Sequence, residues 1–254
     1  MRTDVWVLAL LLFAGGCALR PPVVEDRARA LRTMARAAGF VEVLVQAPAA
    51  RRAPGPHVVS GGSGTHLEGS GLVVTAAHVA SGPGFRYEVT TARGGRYRAV
   101  LLALDRGRDF ALLCAPDLAR EAGVALRASP PADGEPVLAF GSPGPGRIAV
   151  AAGHVRGRAH PEPIRYGRYR VGTPLALELD IVPGFSGGPV VDVEGELVGV
   201  LVGLAMRFDG AGDPRPLGVA YALPAAAFAG DARRLASRCA GATRPRARVA
   251  SRLP

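Results

Sequence analysis

Short apolar runs separated by glycine- and proline-rich turns make up most of the chain after residue 39. Residues 40–46 alternate apolar and polar side chains, which is the period expected of a half-buried β-strand. Residues 86–91 and 96–104 are two further runs around Gly94-Gly95, a pattern typical of a hairpin. The pattern therefore indicates an all-β chain.

Two segments have the composition of helices, and they flank the strands. Residues 25–38 are rich in Ala, Arg and Leu and are followed by Gly39, a common helix stop. Residues 225–240 follow Pro224 and are predicted to form a closing helix. Prolines place a surface loop at 47–56 and a linker through Pro130-Pro131. Further strands are predicted at 57–66, 72–74, 109–113, 136–140, 148–155, 169–171, 176–179, 189–193, 197–203 and 218–222.

The formal net charge of +10 does not change the prediction of an all-β chain with flanking helices. No lysine occurs in the chain, so the basic residues are all arginines in a background rich in Ala, Gly and Pro. This indicates a compositional bias. Basic residues cluster at 233–252 but lack the interleaved aromatic residues that stack on bases, so no nucleic-acid partner is predicted.

Three cysteines are too few for a disulfide framework, so the apolar core must hold the fold. Cys114 is most simply a small buried apolar residue that continues a strand. A disulfide between Cys114 and Cys239 is the alternative that an oxidising compartment would allow.

A compact turn with a serine, Val182-Pro183-Gly184-Phe185-Ser186-Gly187-Gly188-Pro189, precedes an apolar run. Its glycines allow backbone conformations that a Cβ would block. The amides of Gly184 and Ser186 could then face one point and form an oxyanion hole, which stabilises the charge on an attacked carbonyl. Taken alone, the segment is equally well explained as a tight β-turn.

A nucleophilic serine needs a base, and the base needs an acid that holds its tautomer. His78 closes the strand at 72–74, and Asp109 opens the strand at 109–113. The three residues occur in the order His78, Asp109, Ser186, with spacings of 109 − 78 = 31 and 186 − 109 = 77 residues. They are the candidates for base, orienting acid and nucleophile.

Seven motifs in one order, over roughly residues 41–235, make the chain resemble trypsin-like (chymotrypsin-fold) serine proteases, and most of all the HtrA group of bacterial proteases. Each motif is weak alone, but their common order is specific. The motifs are Gly62-Ser63-Gly64-Thr65, Thr75-Ala76-Ala77-His78, Asp109-Phe110-Ala111-Leu112-Leu113, Phe140-Gly141-Ser142-Pro143, 183–189, 195–200 and 218–224.

The resemblance implies two six-stranded antiparallel β-barrels, the chymotrypsin-like fold, with short N- and C-terminal helices. The protease domain would cover 40–240, with the seam of the barrels near 115–135. Residues 18–39 would form a tether and helix, and 241–254 an arginine-rich tail. HtrA proteins usually continue into PDZ domains, and residues 236–254 are too few for one, so none is expected.

The resemblance also implies a serine endopeptidase that acts on unfolded or extended envelope polypeptides. Val202 and Gly203 would then pair with the substrate backbone as an added β-strand.

Phe185 stands where HtrA members often have asparagine. The unusual Phe185 leaves a second function open, in which the chain is a catalytically silent binding or chaperone protein with the same fold. HtrA trimers form through N-terminal aromatic contacts, and Phe40 alone does not support one, so the oligomeric state stays open.

The resemblance also implies that side-chain preference would come from a pocket lined partly by residues just before the serine turn. Asp180 lies six residues before Ser186, where some trypsin-like enzymes carry an acid that selects Arg or Lys. An alignment through Pro183 instead places a small apolar residue there and matches Glu178 to a structural acid. Both readings stay open.

The remaining histidines do not predict a metal site. His57 and His66 are read as strand or surface residues, and neither lies beside the motifs of the acid or the serine. His154 and His160 lack ligand spacing, and Glu162 sits between prolines in a predicted exposed loop. Neither a metal nor another cofactor is predicted.

The N-terminus has the layout of a secretion signal over residues 1–17. An apolar run at 5–13 follows Arg2, and Ala14-Gly15-Gly16-Cys17 resembles a lipoprotein cleavage site. An ordinary cleaved signal and an uncleaved anchor are the alternatives. Each of the three places the rest of the chain outside the cytoplasm. With Ala18 after the cysteine, a lipid anchor on Cys17 would favour the outer membrane and a periplasmic location.

Overall fold

The computed structural model of the protein describes residues 22–48, 57–157, 163–166, 169–207 and 215–241. The predicted signal segment with Cys17, most of the loop at 47–56, His160, Glu162 and the arginine-rich tail after 241 lie outside the described residues. Within the described ranges the protein forms two β-barrels, a small two-stranded ribbon and three α-helices.

The N-terminal barrel closes six antiparallel strands in the order β1-β2-β3-β6-β5-β4. Valines of β1 and β3 fill its interior together with residues of β6 and α2. The hairpin predicted around Gly94 is confirmed as β4 and β5. The strands are β1 Phe40–Ala47, β2 His57–His66, β3 Leu72–Ala76, β4 Arg86–Thr91, β5 Arg96–Asp105 and β6 Phe110–Cys114.

The C-terminal barrel closes six more antiparallel strands in the order β11-β14-β13-β12-β7-β8. The predicted two-barrel, chymotrypsin-like architecture is therefore confirmed. The strands of this half of the chain are β7 Pro136–Gly141, β8 Ala149–Gly157, β9 Ile164–Tyr166, β10 Tyr169–Val171, β11 Leu175–Glu178, β12 Pro189–Val191, β13 Leu197–Arg207 and β14 Arg215–Pro224.

One predicted strand, at 169–171, follows the predicted seam near 115–135 and was therefore assigned to the second barrel, and this assignment is wrong. Residues 169–171 form β10, which pairs with β9 in a separate two-stranded ribbon, with Tyr169 opposite Tyr166 and Val171 opposite Ile164. The sequence could not indicate the correct sheet, because a run of three residues is too short to show a periodic pattern.

The helices are α1 Pro22–Ala37, α2 Ala77–Ala80 and α3 Ala229–Gly241. Gly39 follows α1 with a φ of +64°, the left-handed conformation that glycine adopts without a steric cost. Short 3₁₀ turns occupy Pro116–Arg120 in the linker and Ala225–Ala227 before α3. Within the described ranges, the protein has no helix of the length and apolarity that a membrane span requires.

Every residue of β3 and of β6 is buried, although a barrel strand usually shows one face to water. Val73 and Leu113 face the interior of the N-terminal barrel. Their neighbours Val74 and Leu112 face a second apolar cluster, which includes residues of the other barrel and of α3. Because both faces of these strands are covered, their sequences are continuously apolar. His78 and Asp109 lie at the ends of this double-sided pair.

A disulfide joins Cys114 at the end of β6 to Cys239 of α3, with an S–S distance of 2.04 Å. The simpler reading of Cys114 as a free buried residue is therefore wrong, and the alternative pairing is correct. The sequence could not choose between them, because 125 residues separate the two positions. Helix α3 is thus covalently attached to the strand that begins beside Asp109.

We expect Cys239→Ser to lower the free energy of unfolding by about 4 kcal/mol, because a disulfide that closes a long loop restricts the unfolded chain. Chemical denaturation under non-reducing conditions measures this loss. Ser237→Ala, an exposed substitution on the same helix, is the control and should change stability little. Reductant should lower wild type to the level of Cys239→Ser. Equal midpoints for wild type and variant would contradict the expectation.

Candidate active site

The serine turn begins with a tight reversal of the backbone at Val182-Pro183-Gly184-Phe185. The amide of Phe185 donates to the carbonyl of Val182 at 3.4 Å, and Gly184 has a φ of +101°. These are the marks of a type II turn, which favours Pro at its second position and needs a positive φ at its third. The sequence Pro183-Gly184 therefore fixes the conformation of the residues before Ser186.

The backbone amides of the turn divide into two groups. Gly187 donates to the carbonyl of Leu201 at 2.7 Å, and Gly188 donates to that of Phe185 at 2.9 Å. Over the described ranges, the amides of Gly184 and Ser186 donate to no protein acceptor. Gly184 and Ser186 are partly exposed, so these two amides are accessible to an oxygen of a bound molecule.

Close backbone packing explains why glycine occupies this turn. A Cβ at Gly184 would overlap the carbonyl oxygen of Ser142. A Cβ at Gly187 would overlap that of Ser63, and one at Gly188 would overlap that of Phe140. The turn is therefore held by the N-terminal barrel on one side and by the end of β7 on the other.

His78 lies on the short helix α2, directly after β3, and contacts Asp109. The ring Nδ1 of His78 and Oδ2 of Asp109 are 2.8 Å apart, and the backbone amide of His78 donates to Oδ1 at 2.9 Å. The carboxylate of Asp109 is fully buried, while 30% of the His78 side chain is exposed. This arrangement fits an imidazole that donates from Nδ1 and presents Nε2 for proton transfer.

Asp109 has a φ of +50°, a conformation that non-glycine residues adopt at a cost. Its carbonyl accepts from the amide of Ala77 at 3.1 Å, so both its backbone and its side chain hold α2. Ser81, directly after α2, also has a positive φ, +62°, so both ends of the contact between Asp109 and α2 include a strained residue. Such local strain persists only where surrounding contacts impose it.

The two neighbours of Asp109 supply those contacts. Arg108 forms ion pairs with Asp105 at 2.6 Å and with Asp231 of α3 at 2.9 Å. Burial opposes the charge of Arg108, but its hydrogen bonds to both carboxylates outweigh this, so the pKa of Arg108 lies above its ordinary value. On the other side, Phe110 stacks on Phe228 with ring centroids 5.6 Å apart. The C-terminal segment therefore clamps the loop that carries Asp109.

Ser63 of β2 joins the serine turn to the N-terminal barrel, and its role was missed from the sequence. Its backbone amide donates to the carbonyl of Ser186 at 2.9 Å, and its hydroxyl donates to the carbonyl of Gly184 at 2.7 Å. The same hydroxyl accepts from the amide of Ser142 at 2.9 Å. Ser63 is completely buried. The motif Gly62-Ser63-Gly64 was the available signal, but it was read only as part of a family pattern.

Gly62 shows how close the helix of His78 comes to the serine turn. A Cβ there would lie 2.9 Å from Val79, the neighbour of His78, and 3.1 Å from the carbonyl oxygen of Ser186. The absence of a side chain at Gly62 therefore lets α2 and the serine turn share one small volume. The structure brings His78, Asp109 and the turn of Ser186 together at the junction of the barrels.

Tyr169 is a second residue that the sequence did not indicate. Its ring meets the His78 ring edge-on, with centroids 5.9 Å apart. It belongs to β10 of the ribbon, which explains why a barrel assignment gave it no place near His78. The ribbon thus places one aromatic ring beside the imidazole of His78.

The proposed substrate strand, Val202 and Gly203, lies on β13. Strand β12 pairs with β13 only from Leu197 to Val200, whereas β14 continues beside β13 to Arg207. In the part of the chain that the structure describes, β13 therefore has a strand neighbour on one side only from Val202 onward. Val202 itself lies at an irregularity in the pairing, and its side chain is buried. An unpaired edge of this kind can accept an extended peptide.

Asp180 and Glu178 lie together at a cavity of about 790 Å³, which is also lined by His154, Arg156 and Leu217. Asp180 is exposed. Oε2 of Glu178 is 3.3 Å from Nε2 of His154, and both side chains are about half exposed. The two acids therefore share a region that already holds a histidine and an arginine.

Two of the other described histidines, His57 and His66, both belong to strand β2, which runs from an exposed end to a buried one. His57 is exposed, but His66 is buried, with its Nδ1 3.2 Å from the carbonyl oxygen of Ala122. Burial lowers the pKa of His66 and outweighs the hydrogen bond to Ala122. His66 is thus a strand residue of the core.

Two closed barrels, with a His–Asp pair and a glycine-rich serine turn at their junction, define the class of chymotrypsin-fold proteins. Residues 62–200 match the family model of the trypsin-like peptidase domain. This segment is more than half of the 254 residues, and the chain belongs to that family.

Relatives of known identity agree with this assignment. Serine protease Rv3671c of Mycobacterium tuberculosis is 30% identical over 156 residues, which are 55% of this chain and 37% of that protein. Mitochondrial serine protease HTRA2 of Bos taurus is 32% identical over 168 residues, which are 63% of this chain and 34% of that protein. The chain thus spans little more than a third of the length of these relatives.

The fold has close neighbours among solved structures. The crystal structure of the active form of Rv3671c protease has a TM-score of 0.60 to this chain at 23% identity, covering 89% of this chain and 93% of that one. The inactive form gives a TM-score of 0.59 at 24% identity, covering 84% and 95%. At this identity the likeness establishes the fold.

Proposed function

We propose that the protein is an exported serine endopeptidase that hydrolyses peptide bonds in unfolded or extended polypeptides of the cell envelope. The observation that carries this proposal is the hydrogen-bonded pair of His78 and buried Asp109 beside a serine turn with two unengaged amides. Membership of the trypsin-like peptidase family supports it.

In the proposed reaction, the Ser186 hydroxyl attacks the scissile carbonyl while Nε2 of His78 accepts its proton. The amides of Gly184 and Ser186 bind the oxyanion of the tetrahedral intermediate. His78 then gives the proton to the leaving amine, and an acyl-enzyme remains on Ser186. A water molecule attacks this ester by the same route. Asp109 keeps the His78 proton on Nδ1 and stabilises the charged imidazolium.

From Val202 onward β13 has a described strand neighbour on one side only, which favours an extended polypeptide as the substrate. A peptide strand that pairs with Val202 and Gly203 would gain main-chain hydrogen bonds whatever its sequence. Folded segments could not present such a strand, so the geometry favours unfolded or extended polypeptides. The exposed Asp180 makes a preference for Arg or Lys a secondary proposal, and a peptide-library cleavage profile tests it.

Hydrolysis of casein by the mature chain is the test of the activity. Ser186→Ala and His78→Ala should each abolish it. Ser129→Ala and His57→Ala replace exposed residues of the same types outside the site and should leave it intact. Equal hydrolysis by wild type and both site variants would show that another protein is responsible.

The catalytically silent reading rested on Phe185. Its side chain is buried in the core of the C-terminal barrel and packs over Gly141, where a Cβ would overlap the ring. Phe185 therefore serves packing, and the oxyanion hole uses backbone amides. Nothing in the site geometry favours the silent reading over hydrolysis.

Export to the envelope is supported by the Cys114–Cys239 disulfide, because disulfides persist in oxidising compartments. We further propose that Cys17 is lipidated and anchors the protein to the outer membrane. Each buried CH₂ of an acyl chain contributes about 0.8 kcal/mol, so two or three chains hold a protein stably. Radiolabelled palmitate should enter wild type and not Cys17→Ser. An unlabelled, soluble wild type that begins at another residue would exclude the anchor.

Ser63→Ala should lower kcat about 10- to 100-fold and leave KM nearly unchanged. The substitution leaves the buried Ser142 amide and Gly184 carbonyl without the hydroxyl that joins them, at about 1–3 kcal/mol for each group. The oxyanion turn would then lose its tie to the N-terminal barrel. Steady-state hydrolysis, with circular dichroism as a check on folding, measures this. Ser60→Ala on the same strand is the control, and a kcat for Ser63→Ala within about twofold of wild type would refute this role.

A further inference from the structure

Four arginines line a cavity of about 460 Å³ between α1 and the N-terminal barrel. Arg29, Arg32 and Arg36 come from α1, and Arg93 comes from the turn between β4 and β5. We call this cavity the arginine cleft. It lies outside the site of His78, Asp109 and Ser186, and the proposed hydrolysis does not use it. Its other lining residues are Thr33, Ala37 and Ala122.

The helical arginines are spaced so that they share one face of α1. Positions 29, 32 and 36 follow a step of three and then a step of four, which places side chains above one another on a helix. Like charges at this spacing repel one another and destabilise an isolated helix. Arginine is abundant throughout this chain, but here its arrangement opposes the stability of the helix that carries it.

None of the four guanidinium groups forms an ion pair with an acid whose side chain the structure describes, a set that leaves out Glu25 and Asp26 of α1. Arg108 and Arg127, in contrast, each bind two carboxylates. No acidic residue is among those that line the arginine cleft. No described side chain therefore balances the charge of the cleft.

Two acids near the arginine cleft that do not belong to α1 are engaged elsewhere. Glu121, beside Ala122, accepts a hydrogen bond from the hydroxyl of Tyr97 at 2.9 Å. Glu42 lines a neighbouring cavity that Arg32 and Arg93 also border. Its carboxylate accepts from the hydroxyl of Ser142 at 3.2 Å and from the amide of Gly146.

Arg36 gives an independent sign of a missing partner. Its Nε is buried from solvent, and no acceptor within the described ranges bonds to it. A buried donor without an acceptor destabilises the folded protein, and does so more when the group is charged. An acceptor that binds in the cleft would remove this cost.

We propose that the arginine cleft binds an oxyanion of the phosphate class. Guanidinium groups present paired donors that match phosphate oxygens in a bidentate geometry. A carboxylate has two acceptor oxygens, whereas a phosphate group has four oxygens around one centre and can accept from several of the four guanidinium groups at once. The phosphate could be a free ion or the headgroup of an anionic lipid, and the chemistry of the cleft is the same for both.

The test uses the full chain with Cys17→Ser, so that acylation does not bind it to vesicles. Isothermal titration with inorganic phosphate and with pyrophosphate, at an ionic strength held constant with chloride, measures the free ion. Co-sedimentation with phosphatidylglycerol vesicles, against phosphatidylcholine vesicles, measures the headgroup. Constant ionic strength matters because salt screens exposed charges.

Each arm compares Arg36→Gln and Arg93→Gln with Arg98→Gln, which removes the same charge from an exposed position on β5. Arg93 lies in a turn, so its variant tests the site without altering α1. Saturable binding of free phosphate or pyrophosphate, weakened at least about tenfold in both cleft variants and not in Arg98→Gln, supports the proposal with a free ion as ligand. Binding to phosphatidylglycerol alone, with the same dependence, supports a lipid headgroup. Binding in neither arm, or equal weakening by Arg98→Gln, would overturn the proposal.

Discussion

Asp109→Asn is expected to lower kcat about 10,000-fold while the protein stays folded. The two carboxylate oxygens of Asp109 accept two hydrogen bonds, one from Nδ1 of His78 and one from the backbone amide of His78. An asparagine offers one acceptor and one donor in their place. If its amide group faces the ring, the His78 proton moves to Nε2, where it prevents His78 from accepting the proton of Ser186.

Steady-state hydrolysis of a casein-derived peptide measures this loss. Asp117→Asn is the matched control, because Asp117 is an exposed acid in the 3₁₀ turn of the linker. We expect it to keep full activity. A kcat for Asp109→Asn within about tenfold of wild type would mean that Asp109 does not set the His78 tautomer.

Gly184→Ala is expected to lower kcat about 100- to 1,000-fold, the usual loss when an oxyanion donor is displaced. An alanine there meets two obstacles. Its Cβ would overlap the carbonyl oxygen of Ser142, and a φ of +101° is strained for any residue with a side chain. The turn must therefore move, and the Gly184 amide moves with it.

Gly195→Ala is the control, because it introduces backbone strain without displacing the amide of Gly184. Gly195 also has a positive φ, +84°, but a Cβ there would meet no atom within 4 Å. We expect this variant to lose some stability and to keep its kcat. The comparison requires kcat and thermal unfolding of both variants. An equal kcat for wild type and Gly184→Ala would show that this amide does not bind the oxyanion.

The sequence predicted the parts of the protein that follow periodic patterns and glycine-rich motifs. The hairpin of β4 and β5, the all-β class and the stop of α1 at Gly39 follow from side-chain spacing and from glycine conformations. The closed barrels came from the family resemblance, because periodicity cannot show which strands pair. Strands β13 and β14 extend beyond the predicted ends into regions whose alternation is weaker.

The contacts that hold the candidate site could not be predicted, because they join residues far apart in the chain through the backbone. Ser63 acts on carbonyls and amides of Gly184, Ser186 and Ser142, and no side-chain pattern reports such contacts. The strained φ of Asp109 and its clamp by Arg108 depend on packing against a segment about 120 residues later, as the sequence separation of Arg108 and Asp231 shows. Local sequence rules do not reach that distance.

Labelling by a fluorophosphonate probe tests the central claim most directly, because only an assembled site makes a serine reactive. Wild type should be labelled with one adduct, and peptide mass spectrometry should place it on Ser186. Labelling should be lost in Ser186→Ala and strongly slowed in His78→Ala and Asp109→Asn. A folded wild type that takes no label, or takes it equally at another serine, would contradict the assignment of Ser186 as the nucleophile.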